Sequence, residues 1–151
     1  MKVVIQRCNT GSVKVKNEIR KIDKGYVVLL GMTNGDTEKE IDYLIKKISN
    51  LRIFEDDNNK MNYSIQDING SILLVSQFTL YANTKDGNRP SFIDSMKYDE
   101  ALKLYNLFVD KLKGTNIPIK TGEFGEDMVV NIENDGPVTI IIDTKENLYE
   151  K

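Results

Sequence analysis

Apolar residues along this chain alternate between short strand-like stretches and two helical stripes. Residues 2–7 form a short β-branched stretch. In residues 12–16, Val13 and Val15 point one way and Lys14 and Lys16 the other. Residues 26–30 are an apolar run bounded by Gly25 and Gly31. These three stretches predict antiparallel strands with short connections. Thr37-Glu38-Lys39-Glu40 has the capping-box spacing, and Ile41, Leu44, Ile45 and Ile48 follow as one apolar stripe, which predicts a helix. A second helix is predicted from about 99 to 113, with Ala101, Leu104, Tyr105, Phe108 and Leu112 on one face and Gly114 as its stop. Residues 117–120, 128–132 and 138–143 return to the strand pattern, the last two joined by a turn over 133–137. With no internal repeat, low-complexity tract or linker, residues 1–151 are expected to form one α/β domain of mixed strand order.

One stretch departs from these patterns. Ile72-Leu73-Leu74-Val75 is continuous enough for a strand buried on both faces, but Ser76-Gln77-Phe78-Thr79-Leu80 follows with no turn signal. If the strand continues, Ser76, Phe78 and Leu80 share one face and Gln77 and Thr79 the other. Polar groups entering a buried strand must be satisfied or used. Residues 81–92 then collect turn formers with Lys85 and Arg89, the composition of a functional loop.

Composition narrows the chemistry. The chain contains no histidine, which removes the commonest general base, the usual partner of a Ser or Cys nucleophile, and the commonest metal ligand. The lone Cys8 allows no internal disulfide and, with no histidine, makes a zinc site untenable. No apolar run approaches the ~20 residues that span a bilayer. No export signal is legible, so a cytoplasmic protein with no membrane partner is expected. Net charge is −2, which argues against bulk electrostatic coating of nucleic acid. The charge is uneven, however: residues 1–24 sum to +5 and residues 123–151 to −6.

Asn134-Asp135-Gly136-Pro137-Val138-Thr139 is a turn by every local rule, and a plain hairpin connection would explain it. Together with Ser76-Gln77-Phe78-Thr79-Leu80, though, it resembles the two signature motifs of the D-aminoacyl-tRNA deacylase family. The resemblance runs through Gln6-Arg7, Leu29-Leu30-Gly31, Arg52-Ile53-Phe54, Lys60-Met61-Asn62, Gly87-Asn88-Arg89-Pro90-Ser91-Phe92, Thr121-Gly122, Phe124-Gly125 and Met128.

The resemblance implies mixed, largely antiparallel β-sheets in a layered, barrel-like β/β/α arrangement with two main helices. It implies hydrolysis of the ester joining a D-amino acid, or glycine, to the 3′-terminal adenosine of tRNA, with neither cofactor nor metal. It implies a homodimer with active sites at the shared interface. Residues Ser76, Gln77, Phe78 and Thr79 would form the catalytic segment. Gly136 and Pro137, joined by a cis peptide, would reach into the partner's pocket and exclude L side chains, with Arg7 holding this turn and Met128 beside it. Lys85 and Arg89 would contact tRNA. The implied chemistry is substrate-assisted, the terminal 2′-hydroxyl helping to activate water, and so is compatible with a chain lacking histidine.

Thr79 has no basic residue near it in sequence, so an orienting role is expected rather than a nucleophilic one. Three positions depart from the family pattern: Asp86 stands where a basic residue is common, Asn59 where glycine is frequent, and Cys8 where an aliphatic residue is usual. Asn59 is expected to tolerate a left-handed backbone and Cys8 to act as a small core residue. Two other readings remain open: a nucleic-acid-binding or scaffold protein on the same fold, and a Ser/Thr esterase of small esters.

Overall fold

Strand β1 (Lys2–Val15) organises the architecture, because both of its edges are used. One edge pairs antiparallel with β3 (Gly25–Gly31) over its first half and with β2 (Glu18–Ile22) over its second. The other edge pairs antiparallel with β8 (Val129–Asp143) along almost its whole length. Beyond β3 the sheet continues in parallel through β6 (Ser71–Ser76) and β7 (Ile119–Thr121), while β4 (Phe54–Glu55) and β5 (Met61–Tyr63) pair separately. The structure, a computed structural model, describes residues 1–149; Glu150 and Lys151, counted above in the acidic C-terminal segment, lie outside the described residues.

Helices α1 (Glu38–Asn50) and α2 (Tyr98–Lys113) cover one face of the sheet. Ile41, Leu44, Ile48, Tyr105, Phe108 and Leu112 pack there on Ile5, Tyr26, Val28, Leu30, Ile72 and Leu74. The other face buries Cys8, Val13, Ile22, Val27, Leu73 and Val75 beneath Met128, Val130 and Ile132. Alternate residues of β3 and β6 therefore enter two different cores, the period of two expected of strands covered on both faces. Cys8 is a small core residue, and burial pushes its thiol up to about 11. Asn59 adopts a positive φ of 59°.

Three expectations need correction. The stretches at 2–7 and 12–16 are one strand, and β2 pairs back on it through Lys16 and Asn17, whose φ values of 50° and 60° make a tight turn without glycine. The stretch at 72–80 is not one strand. The Gln77 N–H still bonds the Leu30 carbonyl at 2.7 Å, but β3 ends at Gly31, and the chain turns into a 3-10 helix (Phe78–Tyr81) with the Leu80 N–H on the Gln77 carbonyl. The face assignments of residues 76–80 fail with it.

Nor is the 133–137 stretch a hairpin. Both flanking segments belong to β8 and pair with β1, so the residues between them leave the ladder as a bulge-like excursion. Gln6 pairs with Thr139 and Cys8 with Asn134, which leaves Arg7 opposite residues 135–138. The Asn134 side-chain amide closes the neck, donating to the carbonyls of Arg7 at 2.9 Å and Val138 at 3.0 Å. Arg7, only 4% exposed, supports it from below. Its Nη1 donates to the Ile53 carbonyl at 2.7 Å and its Nη2 lies 3.6 Å from Glu55. Its Nε faces the Asp135 carboxylate at 3.1 Å as an ion-pair contact without an aligned hydrogen bond.

The capping box forms as expected: the Glu40 carboxylate accepts from the Thr37 N–H at 2.7 Å and hydroxyl at 2.8 Å, and the Tyr149 hydroxyl donates to it as well. Burial alone would raise the Glu40 carboxyl, but these bonds outweigh it and hold it at about 2, against an ordinary 4.5. A lowered folded-state value gives stability that is present above pH 4.5 and lost as pH falls towards 2. Glu40→Gln should therefore cost about 1–2 kcal/mol at pH 7, and thermal melts should show the gap to wild type closing over that acid range. For Arg7, urea unfolding should rank wild type above Arg7→Lys above Arg7→Ala, the last by about 2–3 kcal/mol, because a lysine keeps the charge but not the fork.

Candidate active site

Where β6 gives way to the 3-10 helix, a cavity of about 340 Å³ opens between the sheet and the start of α2. Ser76, Gln77 and Phe78 form one wall, and Leu30, Met32 and Met96 help line the rest. Tyr98, Phe124 and Gly125 face them, with the Tyr98 and Phe124 rings 5.2 Å apart. Among the described residues, no carboxylate or amine lines this cavity. It suits a flat, largely apolar group bearing a few hydrogen-bonding atoms. A second hollow of about 260 Å³ shares Ser76, Gln77, Phe78 and Gly125, and adds Glu126, Asp127 and Met128. Met128 thus borders the same hollow as Ser76, Gln77 and Phe78, whereas it was expected beside the Gly136-Pro137 turn.

The 3-10 helix sets the polar geometry. Its first residues have no preceding carbonyl in reach, so the N–H groups of Phe78 and Thr79 make no hydrogen bond among the described residues. The Gln77 side-chain amide donates to the Thr79 hydroxyl. An amide takes no proton, so nothing beside that hydroxyl activates it as a nucleophile. Thr79 itself is exposed and does not line the main cavity. Cys8, protonated and buried in the second core, is no alternative nucleophile.

Gly136 and Pro137 form the outer part of the β8 excursion, joined by a cis peptide bond. Gly136 has φ +117°, and a Cβ there would stand 2.8 Å from the Val138 side chain, 3.0 Å from its backbone nitrogen and 3.1 Å from Arg7 Nη2. The position therefore demands glycine on both conformational and steric grounds. Arg7, Gly136 and Pro137 come together, but not beside residues 76–79 of the same chain. Ser76 lies level with Leu30 and Val3 at one end of the sheet, whereas Arg7 is level with Tyr26 and Ile72, and β8 is three strands away from β6. Strand rise and spacing separate the two groups by on the order of 15–20 Å.

Lys85 and Arg89 sit on a hairpin closed by two backbone bonds between Asn83 and Ser91, of 2.8 and 2.9 Å. Lys85 lines a polar hollow beyond Tyr81 that Arg89 does not reach. Sequence reasoning gave no role to Tyr98 or Met96, and read Asn134 only as a turn residue of the second motif. It also overlooked Arg20, which anchors the 121–125 loop through the carbonyls of Thr121 at 2.9 Å and Gly122 at 3.2 Å, and the Glu123 carboxylate at 2.7 Å. The available signal was the pair of glycines, Gly122 and Gly125, bracketing one aromatic: at Gly122 a Cβ would meet the Met128 sulfur at 2.4 Å.

Comparison with known proteins bears on the family and the fold. The family model described as D-Tyr-tRNA(Tyr) deacylase matches residues 4–143. A D-aminoacyl-tRNA deacylase of Finegoldia magna is 53% identical, over 96% of this chain and 99% of its own. One from Staphylococcus aureus is 52% identical, over 97% of each chain. Among solved structures, a protein described as c-Myc DNA Unwinding Element Binding Protein superposes with a TM-score of 0.88 at 43% identity, covering 95% of this chain and 98% of that one. A protein described as a probable eukaryotic D-amino acid tRNA deacylase superposes with a TM-score of 0.82 at 18% identity, covering 93% and 97%, and shares the fold. With a family match over residues 4–143 and relatives above half identity, this chain belongs to the D-aminoacyl-tRNA deacylases, a family of hydrolases.

Proposed function

We propose that the protein removes D-amino acids, and glycine, from tRNA, and spares L-amino acids because the Gly136-Pro137 turn of one protomer closes the Ser76–Thr79 pocket of its partner. The observation that carries this reading is the β8 excursion. It is rigidly held by Asn134 and Arg7, yet it stands well apart from the cavity of its own chain. Dimerisation has a natural seat. Among the described residues β8 pairs only with β1, which leaves its outer edge open, and Val129 and Ile141 are exposed along it. An open edge of this length is ordinarily covered.

Such a turn reads chirality by exclusion. Enantiomers carry identical groups, so attraction separates them poorly, whereas a fixed backbone wall penalises one hand alone. Glycine has no side chain to exclude and enters. The terminal 2′-hydroxyl helps to activate water, and the unused N–H groups of Phe78 and Thr79 stabilise the developing oxyanion at ~3–4 kcal/mol each. Holding ester and water in register contributes roughly 7–11 kcal/mol more. Thr79 orients rather than attacks, consistent with the amide donated to it by Gln77. Lys85 and Arg89 meet the tRNA, and the reaction takes place in the cytoplasm.

A second reading, nucleic-acid binding without hydrolysis, draws on the name of the solved relative at 43% identity. A paired assay on one tRNA charged with D-tyrosine or L-tyrosine separates the two. The proposal expects rapid release of D-tyrosine with the L-ester intact. Release of neither, with tRNA still bound, would favour the second reading, and release of both would remove the chiral wall. Gly136→Ala must displace the turn and should raise the L-to-D rate ratio by roughly tenfold or more, equivalent to ~1.4 kcal/mol; wild-type selectivity in this variant would contradict the assignment. Thr79→Ala should keep kcat within about tenfold, whereas a fall of ~10⁴ with tRNA binding unchanged would make the hydroxyl a nucleophile.

A further inference from the structure

The sheet runs from β2 at one end to β7 at the other, and Arg20 of β2 reaches the residues that follow β7. In the β1–β2 ladder Arg20 is paired with Val13, and it lies two residues before Ile22, so it stands on the side that enters the second core. Periodicity calls for an apolar residue there. Instead the arginine, 20% exposed, occupies the rim of that core, while Ile19 faces outward at 68% exposure. Its Nη1 donates to the carbonyls of Thr121 at 2.9 Å and Gly122 at 3.2 Å, and its Nη2 to the Glu123 carboxylate at 2.7 Å. Glu18 orients the same guanidinium from within β2, at 3.3 and 3.4 Å. The basic N-terminal and acidic C-terminal segments of the sequence meet at this point.

What Arg20 holds is the segment between β7 and β8, residues 122–128. Among the described residues, its backbone bonds are the Gly122 N–H on the Leu74 carbonyl at 3.0 Å and the Glu126 N–H on the Glu123 carbonyl at 3.3 Å. Yet this segment builds walls of both hollows, with Phe124 and Gly125 in the larger and Gly125, Glu126, Asp127 and Met128 in the smaller. On the cavity side aromatic packing steadies it. Phe124 lies 5.2 Å from both the Tyr98 and the Tyr105 ring, and a Cβ at Gly125, φ +79°, would stand 2.7 Å from the Tyr98 ring. Rings in contact slide past one another at little cost, whereas a guanidinium fork on two carbonyls and a carboxylate fixes both position and direction. Lys16 and Glu126 add a second link at 3.8 Å, but both are about half exposed and such a pair contributes little.

Resting on the deacylase reading above, we infer that Arg20 is a positioning residue of the active site. It touches no substrate; by fixing residues 121–123 it sets the Phe124–Gly125 wall at its distance from the Ser76–Phe78 wall. A wall opposite the reacting end grips the seated tRNA terminus in the ground state and the transition state alike. Loosening it therefore weakens binding more than it slows chemistry.

The test joins backbone hydrogen exchange to steady-state deacylation of D-tyrosyl-tRNA. Arg20→Gln should speed exchange in residues 122–128 by roughly tenfold or more, while β1, β3 and β6 keep wild-type rates. Its KM should rise about tenfold with kcat within about threefold of wild type. Glu123→Gln keeps both carbonyl bonds and should show a smaller rise of the same kind. Arg20→Lys keeps the charge without the fork and should recover only part of the loss. Wild-type exchange at 122–128 in Arg20→Gln would overturn the assignment, and so would faster exchange there with KM unmoved. Faster exchange throughout the domain, with kcat and melting temperature falling together, would reduce Arg20 to a general stabiliser and overturn it too. Should Arg20→Gln fail to fold, an unmoved segment and KM in Glu123→Gln would overturn it. A wild-type protein that releases no D-tyrosine counts against the deacylase reading instead. Exchange then decides alone: faster exchange confined to 122–128 upholds the tether, and unchanged exchange removes it.

Discussion

Between Gln6 and Cys8, β1 offers one residue to pair with β8, and β8 supplies four. That mismatch governs the β8 side of this molecule. The surplus residues must leave the ladder, and their polar groups must then be satisfied elsewhere. Asn134 does so at the neck and Arg7, turned inward at the mismatch itself, does so underneath. The result is a short piece of backbone raised from a sheet edge and stiffened from below, with glycine obligatory at its crowded point. A wall that discriminates by steric conflict needs this stiffness, because a wall that yields loses selectivity.

The rest of the fold serves to place a pocket at the opposite end of the same sheet. β3 and β6 are covered on both faces, so their ends are well defined, and the 3-10 helix after Ser76 forms where the partner strand runs out. That local event frees two backbone N–H groups beside an apolar cavity that, among the described residues, carries no ionisable acid or base other than a tyrosine. Such a site is poor at moving protons and good at holding an ester still, which matches a chain without histidine and is what the proposed substrate-assisted chemistry requires.

Much of this was legible in the residues. Both helices, the capping box and the two-faced burial at 72–75 follow from periodicity, spacing and an unbroken apolar run, and the missing histidine ruled out the common hydrolase constellations. What could not be read depended on long-range pairing. Whether 128–132 and 138–143 are two strands or one is decided by their common partner, β1, more than a hundred residues earlier in the chain. The turn at Lys16-Asn17 lacks glycine, and the polar β2 that follows has no apolar alternation to announce it. The break after Ser76 depends on where β3 stops. The motif around Gly136 was visible as a turn, but its elevation from a continuous strand was not.

The central claim is that each pocket borrows its chiral wall from the other protomer. Mixed dimers test it most directly, assembled from one protomer disabled by Phe78→Pro, which removes a free backbone donor, and one carrying Gly136→Ala. Their working pocket would combine intact residues 76–79 from the second protomer with an intact turn from the first. D-selective deacylation should therefore return in the mixture at a level neither parent shows. A mixture that retains only the relaxed selectivity of the Gly136→Ala parent would place the turn and the pocket in the same chain, and contradict the account.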